Sequence, residues 1–321
     1  MGPSTKLPWP STGIPPGSLA NWPGSRSRDT SGQPRPGAGR APRSPPILRL
    51  VTTENEIPKV LSIAGSDSGG GAGIQADLKA FAACGVHGMT AVTAITAQNT
   101  VGVDLIEPVS PEMIVAQIRS VAADIGVDAV KIGMLGDRET IEAVSRGLEL
   151  LEGVPVVLDP VMVSESGADL LEPEARDALV SEILPRATVV TPNIPEAQAI
   201  TGIEPDGDPG TGQKALVRAV FGLGARSAVV TGGHSERLVD LFFDGEREVE
   251  ITGEIHPGRS AHGSGCTHSS ALAAFIARGV EPLEAAKKAR EVASRAVADS
   301  LEGIGSGPGP VNALGLQPQD G

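Results

Sequence analysis

From residue 57 the chain alternates short, fully apolar runs with longer stretches whose apolar positions recur every three or four residues. The first pattern reads as a strand buried on both faces, the second as an amphipathic helix. Strands are predicted over 60–64, 89–97, 128–132, 154–159, 188–191 and 227–231. Helices are predicted over 74–84, 111–123, 137–151, 173–184, from 194 onward, and over 211–222. Pro111 suits a first helical turn and Asp137 a helix cap. Asp244-Gly245, between the runs 238–244 and 247–252, signals a hairpin. Helices at 265–278 and 282–300 close the pattern, and no internal repeat is visible.

Strand–helix alternation of this kind specifies right-handed βαβ units. The expected fold class is therefore α/β: a three-layer arrangement with a mostly parallel central sheet and helices on both faces. Such sheets bind ligands beyond the carboxyl ends of their strands. The loops after Ala64, Ala97, Ile132, Leu158, Val190 and Val230 are therefore where chemistry is expected.

The first 50 residues break the pattern. Half of them are Pro, Gly or Ser, and they hold seven Lys/Arg against one acid in a chain of net charge −13. Such a segment cannot bury enough apolar surface to offset its ordering entropy. Residues 1–55 are expected to be a disordered tail, or the product of a misassigned start, ahead of a single folded domain at 56–321. No secretory signal is evident in it. The acidic balance argues against general nucleic-acid binding. No apolar run approaches the roughly 20 residues needed to cross a bilayer. Two cysteines, Cys84 and Cys266, exclude a disulfide scaffold. The expected location is cytoplasmic.

Several familiar sites are missing. There is no Gly-Lys pair for a P-loop, no glycine spacing for a dinucleotide fold, no zinc-like Cys/His spacing and no nucleophile elbow. What remains is a set of unusual loops. His262-Gly263-Ser264-Gly265-Cys266-Thr267 precedes an Ala-rich helix, so its amides can form an anion hole. Cys266 stands at the helix start, where a thiol pKa is usually lowered, and is a candidate base. The same stretch also reads as a helix entry with a small buried thiol. Residues 65–77 contain five glycines that let backbone approach a ligand, with Asp77 placed to accept hydrogen bonds from it or to sit solvated in the first helical turn. Asn193 and Glu196, three apart after a strand, are hard oxygen donors suited to Mg²⁺, with Asp159 as a second carboxylate. They also spell a capping box. Gln98-Asn99 can read a heteroaromatic ring edge, Met134 can pack on the ring, and Thr231-Gly232-Gly233-His234 permits close approach to a nucleotide.

In this order, together with Lys131-Ile132-Gly133-Met134-Leu135 and Asp159-Pro160-Val161-Met162, the motifs resemble the hydroxymethylpyrimidine/phosphomethylpyrimidine kinases of thiamine synthesis. These form part of the vitamin-kinase branch of the ribokinase-like superfamily. The likeness runs from about residue 59 to 311. It implies ATP-dependent phosphorylation of 4-amino-5-hydroxymethyl-2-methylpyrimidine, first to its monophosphate and then to its diphosphate. It implies ATP and Mg²⁺ as cofactors and a homodimer. By resemblance, Gly65, Asp77, Gln98, Met134 and Val161 are substrate-binding. Asn193, Thr231, Gly233 and Ser264 are nucleotide-binding, and Asp159 and Glu196 serve the metal. Cys266 is the catalytic base, with Gly263 and Gly265 in the anion hole. One departure is Thr231, where many bacterial relatives carry Lys. Pyridoxal/pyridoxine kinase and a non-catalytic pyrimidine sensor are the alternatives.

Overall fold

The structure, a computed structural model, describes residues 56–164, 167, 169–204, 209–232 and 239–317. Residues 1–55, Gly233 and His234, on which three of the expectations above fall, lie outside the described residues.

Nine strands form one sheet in the order β3-β2-β1-β4-β5-β6-β7-β8-β9. They are β1 (Lys59–Ser66), β2 (His87–Gln98), β3 (Val103–Pro108), β4 (Ala129–Ile132), β5 (Val156–Leu158), β6 (Val189–Val190), β7 (Ala228–Val230), β8 (Val239–Phe243) and β9 (Glu248–Thr252). The six inner strands, β2 to β7 in sheet order, are parallel; β3 pairs antiparallel with β2 at one edge, and at the other β8 pairs antiparallel with both β7 and β9. The α/β class and the mostly parallel sheet therefore agree with the hydrophobic pattern.

The apolar runs explain why the sheet is buried twice. Along β1, Val60 faces one core with Phe81, while Leu61 and Ile63 face the other with Ile114 and Ile118. The first face is covered by α1 (Gly73–Ala83), α7 (Ser264–Ala277) and α8 (Pro282–Ala298). The second is covered by α2 (Pro111–Asp124), α3 (Arg138–Leu148), the helical turns of 173–186 that include α4 (Arg176–Ala178), α5 (Ile194–Thr201) and α6 (Pro209–Gly222). α7 is rich in Ala and Ser, and its stretch from Thr267 to Ala274 is buried between the sheet and α8.

Two elements depart from the pattern. β3 was not predicted, because its outer face is open to solvent and only Val103 and Ile106 are half-buried. It enters through a tight turn in which Asn99 Oδ1 accepts from the N–H groups of Val101 and Gly102. The stretch 173–186 is not a plain helix but passes through 3₁₀, α and π turns, with Pro173 and Pro185 at its ends.

The chain order reverses beside β1: β2 lies on one side and β4 on the other. A crevice is expected at such a point, outside the carboxyl ends of the strands.

Candidate active site

A cavity of about 190 Å³ opens there. Its walls come from the carboxyl end of every parallel strand: Gly65 on β1, Gln98 on β2, Lys131 and Met134 at β4, Asp159 and Val161 after β5, Asn193 and Glu196 after β6, and Thr231 after β7. The entry to α7, from Ala261 to Cys266, closes the remaining side. Apart from Asp77, the predicted site residues that fall among the described residues line this one space. A second cavity of about 220 Å³ adjoins it and shares Thr231, Ala261, Ser264, Gly265 and His268.

The two glycine loops behave differently. In the first, the Asp67 carboxylate accepts from the N–H groups of Gly69, Gly71 and Ala72 at 2.7–2.9 Å. Its anion is built in, so these amides are not available to a ligand. Gly65 makes room for Met134, whose Sδ would lie 2.9 Å from a Cβ there. Ser68 Oγ donates to the Gln98 carbonyl and accepts from its N–H, fixing Gln98 at the cavity edge. Asn99 is committed to its own turn.

The second loop carries no such acid. Gly263 caps α7 at φ +83°, a backbone region that favours glycine, and no acid lies in the first turn. The Ser264 N–H turns back to the Ala261 carbonyl and the Thr267 N–H donates to Gly263. The amides of Gly265 and Cys266 have no intrahelical acceptor and remain for an anion, in the positive potential of the helix start.

Cys266 contradicts one expectation. Its thiol is not acidified by the helix start. Burial pushes it up to about 12; Lys131 pulls against this, while Asp77 and Asp159 add to it. Desolvation of the thiolate outweighs the helix potential.

Asp77 is the second correction. It neither lines the cavity nor meets solvent, its exposure being 0%. Its carboxylate accepts from Ser62 Oγ at 2.5 Å, Ser270 Oγ at 2.7 Å and Lys131 Nζ at 2.9 Å, so its partners in this arrangement are the protein's own donors.

Lys131 itself was missed as a site residue. It is wholly buried, it lines the cavity, and its Nζ also stands 3.8 Å from Asp159 Oδ2. Burial opposes its charge, but the adjacent Asp77 leads the acids that raise its pKa. The available signal was a lysine inside an otherwise apolar strand.

Asp159 and Glu196 face each other electrostatically. Burial raises the Asp159 pKa against the pull of Lys131 and of the Ser269 hydroxyl, which donates to Oδ2 at 2.8 Å. Burial, then Asp159, lifts Glu196 to about 8. The capping box is present as well: Asn193 Oδ1 accepts from Glu196 N–H at 2.8 Å, and Glu196 Oε2 from Asn193 N–H at 2.9 Å. Cap and cavity wall are the same residues. Among the described residues no group of three or more His, Cys, Asp or Glu is arranged to hold a metal ion. Two carboxylates on one cavity wall nevertheless fit Mg²⁺, which is commonly held by one or two protein carboxylates plus substrate phosphates and water.

A sequence profile of the family described as phosphomethylpyrimidine kinase matches residues 67–312. A Rhizobium meliloti protein named hydroxymethylpyrimidine/phosphomethylpyrimidine kinase is 50% identical over 256 residues, covering 78% of this chain and 95% of that protein. Among solved structures, an ADP complex of Bacillus subtilis pyridoxal kinase superposes with a TM-score of 0.74 at 37% identity, over 80% of this chain and 98% of its own. A phosphomethylpyrimidine kinase from Clostridium difficile gives 0.65 at 40% identity, over 74% and 97%. No helix among the described residues is long and apolar enough to cross a membrane.

Proposed function

The chain belongs to the phosphomethylpyrimidine kinase family, and on that premise we propose that it transfers the terminal phosphoryl group of ATP to the hydroxymethyl group of 4-amino-5-hydroxymethyl-2-methylpyrimidine, and then to the resulting monophosphate, in thiamine biosynthesis. The observation that carries this is the meeting, in one cavity, of a helix start with available amides, a thiol and a pair of carboxylates.

The pyrimidine occupies the side walled by Gly65, Gln98, Met134 and Val161. The Gln98 amide serves the ring edge, and Met134 and Val161 its faces. ATP lies along the adjoining cavity, and its phosphates enter past Thr231 and Ser264 to the Gly265 and Cys266 amides. Those amides stabilise the charge spread over the moving phosphoryl group, the dominant task in such a loose transition state.

Asp159 and Glu196 would hold Mg²⁺, which when bound would neutralise charge on the phosphate oxygens and on both carboxylates. The substrate oxygen forms its bond to the γ-phosphorus as the bond to the β-bridging oxygen breaks. The alcohol proton passes to Cys266 late in the step. Burial favours the thiol, so Cys266 accepts this proton only in its deprotonated fraction, having first released its own proton to solvent.

Pyridoxal phosphorylation is the second reading, favoured by the Bacillus subtilis structural likeness. One coupled ADP-release assay with the pyrimidine alcohol, its monophosphate and pyridoxine separates the two. Turnover on the monophosphate supports the pyrimidine reading. Turnover on pyridoxine alone replaces it.

A further inference from the structure

Lys131 presents a problem that stability does not solve. Its ammonium and the Asp77 carboxylate are 2.9 Å apart with side-chain exposures of 0% each. A buried pair of this kind is often matched or bettered in stability by apolar residues of similar volume. Two serines already serve Asp77, Ser62 from β1 and Ser270 from α7. The lysine also reaches beyond its partner, since it lines the cavity and stands 3.8 Å from Asp159 Oδ2. Gly133 leaves space for this placement, because a Cβ there would lie 2.9 Å from Nζ.

The Asp159 carboxylate is held on one side only. Oδ2 takes Ser269 and faces Lys131, while no donor among the described residues bonds Oδ1. Glu196 is fixed from its own side by the Asn193 N–H. We infer that Lys131 is a positioning residue for phosphoryl transfer: anchored by Asp77, its ammonium holds the Oδ2 edge of Asp159 so that Oδ1 and Glu196 form a fixed two-carboxylate seat for a divalent cation. This deepens the kinase reading and rests on it.

The charges agree with that role. Lys131, Asp77, Asp159 and Glu196, all ionised, sum to −2, the complement of one divalent ion. Removing Lys131 and Asp77 together leaves the sum unchanged and removes only the hold on Asp159. The informative variant is therefore Asp77→Asn with Lys131→Met, which removes both partners of the close buried pair and leaves Asp159 with Ser269 alone.

The test compares wild type and this double variant, both free of nucleotide. The probe is Mn²⁺ alone, with binding followed by loss of the free-ion electron paramagnetic resonance signal. Thermal midpoint and turnover are recorded beside it. Loss of a partner that orients a ligating carboxylate commonly costs about 10–100-fold in metal affinity or activity. We expect Mn²⁺ binding and turnover both reduced by about that factor in a folded variant, with the pyrimidine KM changed by no more than about twofold. Wild-type Mn²⁺ binding in the folded double variant would overturn the inference and leave Lys131 as a counter-ion to Asp77. Should the double variant not fold, Gly133→Ala displaces Nζ while keeping its charge. Weakened Mn²⁺ binding in that variant supports the inference and unchanged binding overturns it. Wild-type protein that binds Mn²⁺ yet phosphorylates no pyrimidine alcohol would sink the kinase reading alone.

Discussion

A side chain on Gly263 would place its Cβ 1.9 Å from the carbonyl oxygen of Gly71. The two glycine loops are thus interlocked backbone to backbone, one carrying the built-in Asp67 anion and the other open to a ligand's. Gly263 is held by this contact and by its positive φ.

Gly263→Ala should therefore do more harm than its dihedral alone. A non-glycine residue in that region costs roughly 1–2 kcal/mol. Gly258, at φ +76° with nothing within 4 Å of its Cβ, provides the control. The thermal midpoint of Gly263→Ala should fall below that of Gly258→Ala, and turnover should drop by about 10²-fold or more as the amides shift. Equal midpoints and near-normal turnover in the two variants would show that the loops are not coupled.

Cys266 is expected to titrate high. Alkylation by iodoacetamide in the ligand-free protein should still be accelerating at pH 10, because burial holds the thiol protonated up to about 12. A plateau near pH 8 would mean an acidified thiol. The folded-state value of this thiol lies above the ordinary 9.0. The resulting contribution to stability is fully present below that value and is lost as pH rises toward the folded one. Cys266→Ser should lower turnover by about 10²–10⁴-fold while calorimetric pyrimidine binding persists. Full activity would remove Cys266 from the mechanism.

Glu196, lifted to about 8 from 4.5, gives a pH window for the metal. The folded protein without metal holds a proton that the unfolded chain has released. The resulting stability is present below 4.5 and lost as pH rises through about 8. A divalent cation needs the ionised pair. Mg²⁺ should thus raise the thermal midpoint more at pH 8.5 than at pH 5.5, and Glu196→Gln should reduce that difference. Equal shifts at both pH values would place the cation elsewhere.

Thr231 stands where the two cavities join. Thr231→Lys adds a cation beside the path proposed for the phosphates and should lower the KM for ATP several-fold, about one order of magnitude at most. An unchanged KM and turnover would show that the missing charge is immaterial.

Much of this was legible from residues alone, because strands buried on both faces leave an unbroken apolar signature and glycines gather where backbone must approach backbone. Gly65, Gln98, Met134, Val161, Asp159 and Glu196 were found because they follow strand ends. What escaped depends on contacts across the chain. Asp77 looked like a first-turn acid, and nothing local reveals Lys131, 54 residues on, beneath it. Lys131 was hidden by its own strand, where apolar neighbours mark it as core. The thiol of Cys266 was misjudged because a helix start is local while desolvation is set by the whole fold. β3 was missed because a half-exposed edge strand lacks the apolar run.

The most direct measurement is a crystal structure with the pyrimidine alcohol and a non-hydrolysable ATP analogue bound together. The γ-phosphorus should lie at the Gly265 and Cys266 amides with the substrate hydroxyl about 3–3.5 Å away on the Met134 side. A γ-phosphate held away from the start of α7, or a pyrimidine outside the Gly65–Met134 wall, would contradict it.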